Sequence, residues 1–466
     1  MQSSFQHPSG SETTVDLPAA TRVTPQQLTA CLDQSDFTRS HAMLYLLVVL
    51  GHLFDGFDIN MIGLVLPGIG AEFHAPPMAL GYLASSVFTG MLVGSIAIGT
   101  LADRVGRKKA LIFAVGFYGI TSLAAAFAWS YDSLVVIRII EGFGLGAEVP
   151  LVFTYLSEFM PRRRRGLLLA SSVFFWQGAS FVAALAATII IPAFGWRGMF
   201  VLGTIPSAIL VFLFLKLPES VRFLLSRGRF DEAERIARSL STVDPAHCIV
   251  APAEAAGNQA HLRDLFRGGY VRATLSIWIM QFCGGAVFAG LAVWLPSILV
   301  GMGFPVVRSF LFTAAITGSG AVGNIGAGLL LDRIGRKPTL AIFLLMGGGL
   351  MLVWGLATSA LAVVAIGALT AFFGAGGAGG PLFTYTSEVY PTRFRGAGTG
   401  WAAGWQRIGG IVAPIVLGAM LAMPGSGYRV FVTMSASLLA AGVAVMLLGF
   451  ETRGKSLEQI NAELAR

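Results

Sequence analysis

Apolar runs long enough to cross a bilayer recur along almost the whole chain, and they leave few architectures open. They lie at roughly 41–68, 78–102, 109–128, 133–158, 166–191, 197–217, 272–300, 307–331, 338–357, 361–389, 397–423 and 428–449. A spanning helix needs about 20 predominantly apolar residues, so the expected fold is all-α with twelve spans. Only 12% of the 466 residues are charged, against about 25% in soluble domains, so most of the surface must face lipid. Glycine, at 58 residues, is enriched in the way that close helix packing in membranes requires. The largest gap between runs, 218–270, is polar with a helical pattern (FDEAERIARSL) and divides the spans six and six. The expected organisation is a polar tail over 1–40, unstructured until the first helix, a bundle over 41–217, an inter-bundle segment over 218–270, a second bundle over 271–449 and a tail over 450–466. No cleavable signal peptide is visible.

The net charge of +8 raises the question of nucleic acid, and the placement of the charge answers it. Arg104, Arg107, Lys108 and Lys109, then Arg162 to Arg165, then Arg333, Arg336 and Lys337, then Arg393 and Arg395 occupy alternate short loops rather than one stripe. The intervening loops hold almost none, with Arg197, Arg308 and Arg429 the exceptions. The positive-inside rule then puts both termini and the central segment in the cytoplasm, as expected for a bacterial inner membrane. Cys31, Cys248 and Cys283 make no disulfide framework or ligand set. No metal, cofactor, nucleic acid or enzymatic activity is expected, and the chain is expected to act as a monomer.

The two halves match at a near-constant offset. GTLADRVGRKK (99–109) parallels GLLLDRIGRKP (328–338), and YLSEFMPRRRRG (155–166) parallels YTSEVYPTRFRG (385–396). Pro67 pairs with Pro296, and Glu219 of PES with Glu451 of FETRG. Duplication of six helices is the mark of a transporter with a site between its halves. These motifs, with RxxxG opening the fourth run, resemble the major facilitator superfamily over essentially the whole chain. The branch they resemble holds sugar porters, organic-ion transporters and aromatic-acid symporters. The resemblance implies alternating access by rocking of two bundles about a midplane site.

Ionisable residues inside spans cost about 2.5–3.5 kcal/mol each on insertion scales, so those retained are candidates for function. The first span holds His52, Asp55 and Asp58, the fourth Arg138, Glu141 and Glu148, and the eleventh Arg407. The repeat offset puts Gly284 and Val287 opposite Asp55 and Asp58, and Gln177 opposite Arg407. The acids therefore have no image in the second half, as expected of residues that serve a solute or coupling ion rather than the architecture. Asp58 and Arg138 fall where the resemblance places a titrating Asp and its Arg partner. A carboxylate that loses a neighbouring guanidinium inside a protein takes up a proton, and making and breaking the pair would bias a two-state motion. The competing reading is a permanent ion pair. Asp55, Glu141, Glu148 and His52 are further proton-coupling candidates, or packing partners.

Arg407 suits a carboxylate, which guanidinium can hold in bidentate fashion. Its place resembles that of the eleventh-span Arg of organic-anion transporters. The competing reading is an Arg satisfied by carbonyls or by an acid of the first half. Positions that serve hexoses in sugar porters are Val173, Ala286 and Thr384 here, so hexose transport is not expected. Phe174, Gln177, Phe282, Phe288, Phe383 and Thr384 sit at mid-span and are expected to line the site; Trp176 and Trp405 are among the other aromatic residues nearby. DGFD in the first span and GLGAEVPL in the fourth resemble niacin permeases and aromatic-acid symporters. The expected substrate is a small aromatic monocarboxylate, nicotinate first, with benzoate or hydroxybenzoate as the alternative. A drug antiporter lacks support, since WQGASFVAALAATIIIP does not match the exporters' glycine motif, and a non-transporting sensor would be expected to carry longer tails. Asp103, Arg107, Glu158, Arg165, Glu219 and Arg222, with Asp332, Arg336, Glu388, Arg395 and Glu451, lie at cytoplasmic helix ends. The resemblance makes them an inner gate.

Overall fold

The structure is a computed structural model that describes residues 23–250, 265–266, 268–390, 395–425, 427–455 and 457–464. Arg393, much of the central segment after residue 250 and residues 1–22 of the expected tail lie outside the described residues. The described residues are all-α. The long helices of the first half are α2 (Arg39–Phe73), α3 (Pro77–Val105), α4 (Arg107–Ala126), α5 (Tyr131–Phe159) and α6 (Arg162–Phe214), preceded by the short α1 (Pro25–Gln34). Two short helices, α7 (Val221–Ser226) and α8 (Phe230–Leu240), follow. The second half contains α9 (Tyr270–Gly301), α10 (Val306–Ile334), α11 (Arg336–Trp354), α12 (Ala360–Phe373), α13 (Ala375–Val389), α14 (Arg395–Leu421) and α15 (Gly427–Leu448), and α16 (Leu457–Leu464) ends the chain.

Among the described residues, ten helices are long and apolar enough to cross a membrane, with α12 and α13 counted as one. One of the ten, the 53-residue α6, changes direction at Gly195 (φ 68°). The 29-residue α5 is not among them and carries Arg138, Glu141 and Glu148 along its length. Within the first half, α3 and α4 pack on α5, and α2 and α4 on α6; within the second, α14 and α15 pack on α9, and α12 on α10 and α11. The halves meet where α3 lies against α14, α10 against α6, and α2 against α9. By the repeat offset α10 is the image of α3 and α14 of α6, so the first two contacts are images of each other.

The tightest approaches between halves lie away from the arginine-rich loops, toward what we call the outer ends. A Cβ on Gly63 would stand 2.0 Å from the carbonyl oxygen of Ala292, and one on Gly81 2.4 Å from that of Pro414. Ser85 donates to the Ile411 carbonyl at 2.7 Å. Small residues at such crossings let backbones touch, which is how helices associate without a hydrophobic driving force.

One expectation needs correction. The 1–40 tail is not unstructured throughout, because α1 forms at Pro25–Gln34. Thr24 and Gln27 make a reciprocal capping box, with Pro25 in the first turn, a combination that satisfies orphan N–H groups at a helix start. Leu28, Cys31 and Leu32 are buried where α1 packs on α7 and α8. Gln34 exchanges hydrogen bonds with the backbone of Ile249. The N-terminal helix and residues 218–250 of the inter-bundle segment thus fold together as a small cap on the first half.

Candidate functional site

Two sets of buried charges stand on facing helices of the first half. In the first, Arg138 of α5 donates from Nη1 to Asp58 Oδ1 of α2 at 2.9 Å and to Glu141 Oε2 at 2.7 Å. Glu141 lies one turn from Arg138, so the helix presents both to α2. The ring of Phe200 on α6 lies under the guanidinium, 5.5 Å from centroid to Cζ. All three charged residues are at most 1% exposed. Asp58 and Arg138 are therefore paired, with Glu141 as a second carboxylate on the same cation.

In the second set, His52 Nδ1 and Glu148 Oε2 are 3.0 Å apart. Asp55, one helical turn from His52, accepts a hydrogen bond from the indole Nε1 of Trp176 at 2.9 Å. Ligand-type atoms of His52, Asp55 and Glu148 all lie within 4.8 Å of one another. That spacing suits a shared proton and also a metal ion, which was not expected from the residue pattern. Trp176 was visible in the sequence only as one aromatic residue among several. It stacks on Phe288 of α9 at 5.3 Å, and so joins Asp55 to the other half.

Gln177 and Arg407 each reach across to the opposite half. Gln177 Nε2 of α6 donates to the Gly376 carbonyl of α13 at 3.0 Å, and Arg407 Nη2 of α14 approaches the Gly146 carbonyl of α5 at 3.4 Å. The donors are 230 residues apart, and so are the acceptors. The two contacts are one contact repeated by the pseudo-twofold axis. Arg407 is less fully covered than the other buried charges, its Nε has no protein partner, and the charge of Asp55 acts on it.

Gln177 and Phe288 also line a small cavity of about 50 Å³ with Asn60, Ser180, Thr317 and Gly376. The remaining expected wall residues do not line that cavity. Phe282 packs edge-on to Trp405, Phe174 packs edge-on to Phe175, Thr384 bonds back to the Gly380 carbonyl, and Phe383 is half-buried. Asn60 and Ser180 were not expected from sequence; short polar side chains carry no pattern that separates a cavity wall from a helix contact.

The charges at the loop ends repeat faithfully. Arg107 pairs with Asp103 at 2.9 Å and approaches Glu158 at 3.6 Å, while its image Arg336 pairs with Asp332 at 3.2 Å and grips Glu388 through two nitrogens at 2.9 and 3.0 Å. Glu219 accepts from the Lys108 amide, and Glu451 from the Arg336 and Lys337 amides. Each carboxylate therefore caps the positive end of a helix. Arg165 donates to the Met160 carbonyl and Arg395 to the Tyr390 carbonyl. These contacts are all made inside one half. Ser220 donates to Glu158, and its image Thr452 to Glu388. One departure from symmetry was not expected: Asp33 of α1 pairs with Arg165. Arg222 adds its charge near Glu158.

Comparison with known proteins agrees with this architecture. The family model for the Major Facilitator Superfamily matches residues 48–414. The chain is 35% identical to the niacin transporter NiaP of Acinetobacter baylyi over 90% of its own length and 96% of that protein's. It is 30% identical to a gallate transporter of Pseudomonas putida, over 87% and 91%. In three dimensions it resembles the inward-open xylose transporter XylE from E. coli with a TM-score of 0.76, over 91% of this chain and all of that one, at 20% identity; a likeness at that identity speaks for the fold alone. The chain is a transporter and not an enzyme, and it belongs to the Major Facilitator Superfamily, where it is related to the niacin and aromatic-acid transporters.

Proposed function

We propose that the protein imports a small aromatic monocarboxylate together with protons, with nicotinate as the first substrate to test. Transport would proceed by alternating access between two six-helix bundles, twelve spans in all, in a monomer with both termini on the cytoplasmic side of a bacterial inner membrane. In this count α5 is a span despite its charges, and α6 supplies two.

The observation that carries the reading is the charge on Arg407. Its image Gln177 makes the same inter-half contact with a neutral amide, so the contact itself needs no cation. The guanidinium is then available to an anion, and a planar carboxylate matches it in bidentate geometry. Trp176 and Phe288, stacked 26° from parallel where the halves meet, offer flat apolar surface. Binding energy for a flat aromatic anion would come from these rings and from the charge.

In this account Asp58 carries a proton, and Arg138 holds it ionised until the helices move. Asp55, Glu141, Glu148 and His52 take part in the same coupling. Asp103, Arg107, Glu158, Arg165, Glu219 and Arg222, with their images Asp332, Arg336, Glu388, Arg395 and Glu451, form the inner gate and would exchange their pairings within each half for pairings between halves.

A second reading, a carrier of benzoate or hydroxybenzoates, is favoured by Gln177, Asn60 and Ser180 on one cavity wall. Their amides and hydroxyl suit ring hydroxyl groups, and the relative that transports gallate fits this reading. The deciding experiment is uptake of radiolabelled nicotinate, benzoate, 4-hydroxybenzoate and glucose into proteoliposomes, with and without an inward proton gradient. Nicotinate should accumulate only with the gradient, and glucose not at all. Preferential accumulation of 4-hydroxybenzoate would select the second reading, and uptake of all four at the same gradient-independent rate would refute both.

A further inference from the structure

His52, Asp55 and Glu148 are at most 2% exposed and stand apart from the set around Arg138. That arginine is already shared by Asp58 and Glu141. Oxygen Oε1 of Glu148 and Oδ1 of Asp55 are buried without a protein partner. The other charged or titratable groups facing the set are Asp58 on α2, Arg138 and Glu141 on α5, Tyr118 on α4 and Arg407 on α14. From α6 and α9 come the rings of Trp176 and Phe288.

A charge count follows from this placement. With a neutral imidazole and both acids ionised, the set holds two negative charges within 4.8 Å, and Arg407, whose Nη2 reaches the Gly146 carbonyl two residues before Glu148, is placed to compensate one. Like charges this close and out of water are not held without compensation, so one proton resides there. An anion that takes Arg407 removes the compensation from Asp55, and a further proton restores it. Substrate and proton then bind with positive linkage at one place. The Asp58–Arg138–Glu141 set is a second, separate excess of one carboxylate over one guanidinium.

Resting on the aromatic-acid reading above, we propose that His52, Asp55 and Glu148 form a second proton-binding unit, loaded when the anion takes Arg407, so that two protons enter with each monoanion and transport carries one net positive charge. Trp176 links the unit to the motion. Its N–H donates to Asp55 while its ring stacks on Phe288 of the other half. A proton on Asp55 weakens that charge-assisted hydrogen bond and releases the ring that bridges the halves.

The test is the proton-to-anion ratio of the full-length protein in proteoliposomes, read from the potential at which net flux of radiolabelled nicotinate or benzoate reverses. The wild type should give a ratio of two. With equal pH on both sides, an inside-negative potential of about 100 mV should raise its steady-state accumulation roughly 50-fold. Asp55→Asn removes the acid that loses its compensation, so it should lower the ratio to one and abolish the response to potential, while a pH gradient still drives accumulation; Asp55→Asn combined with Glu148→Gln should do the same if the single variant fails to fold. A wild-type ratio of one with no response to potential would overturn the proposal, and so would variants that keep the ratio of two. Accumulation that requires added Mn²⁺ and is lost on chelation would make the set a metal site and also overturn it. Gradient-free exchange of labelled nicotinate, benzoate and gallate separates the two levels. Loss of all exchange refutes the aromatic-acid reading itself, whereas exchange with a ratio of one refutes only the second proton.

Discussion

At the scale of single residues, the pair Gln177 and Arg407 separates architecture from chemistry, because the pseudo-twofold axis repeats their contact but not their charge. Arg407→Gln should therefore keep the inter-half contact and leave the melting temperature within a few degrees of wild type. Its affinity for nicotinate should fall about 10- to 150-fold, the range expected for losing hydrogen bonds to a charged group; titration of substrate binding in detergent measures this. Asp58→Asn leaves Arg138 paired with Glu141, so the fold should survive while gradient-driven accumulation is lost and exchange remains. Arg138→Leu is a harsher change. It leaves Asp58 and Glu141 buried together, and removing one partner of a buried ion pair costs about 3–5 kcal/mol, a loss that thermal unfolding would register. Much of this was legible in the sequence. Asp58 and Arg138 stood out because charges inside apolar runs are expensive, and the repeat offset exposed the asymmetry of Arg407. The role of Trp176 was not legible, since its partner Asp55 lies 121 positions away and helical spacing says nothing about which helices face each other.

At the scale of elements, the starts of α4 and α11 show why the loop motif recurs. Gly106 (φ 104°) and Gly335 (φ 107°) hold a backbone conformation that L residues avoid, and each brings a helix N-terminus onto a carboxylate, Glu219 or Glu451. A Cβ on Gly335 would lie 2.6 Å from Glu451 Oε2. Gly335→Ala should cost about 1–3 kcal/mol from backbone strain alone, more where the carboxylate is displaced, and should lower the melting temperature. The loop motifs were readable because they repeat. The helix α1 was missed although Thr24, Pro25 and Gln27 spell a helix start, because a short amphipathic segment in a polar tail gives little periodic signal. Its Asp33, paired with Arg165, ties the tail to a residue of the proposed inner gate.

At the scale of the whole molecule, the close contacts between halves at Gly63, Gly81 and Ser85 leave the outer ends shut, while the charged loops bond within their own halves. A bulky side chain at Gly63 cannot fit against Ala292, so Gly63→Trp should hold the outer ends apart. Spin labels at the exposed ends of α2 and α9, at His74 and Met302, should report a longer distance in that variant than in wild type. The all-α membrane fold was legible from the length and recurrence of the apolar runs. The conformation was not, because both states of a rocking bundle use the same sequence. The central claim is that a cation on α14 holds the carboxylate of an imported aromatic acid. Initial-rate uptake of radiolabelled nicotinate under an inward proton gradient, compared between wild type and Arg407→Gln in proteoliposomes of equal protein content, tests it most directly. The account predicts robust gradient-dependent uptake by the wild type and near-background uptake by the variant. Equal uptake by the two would contradict it.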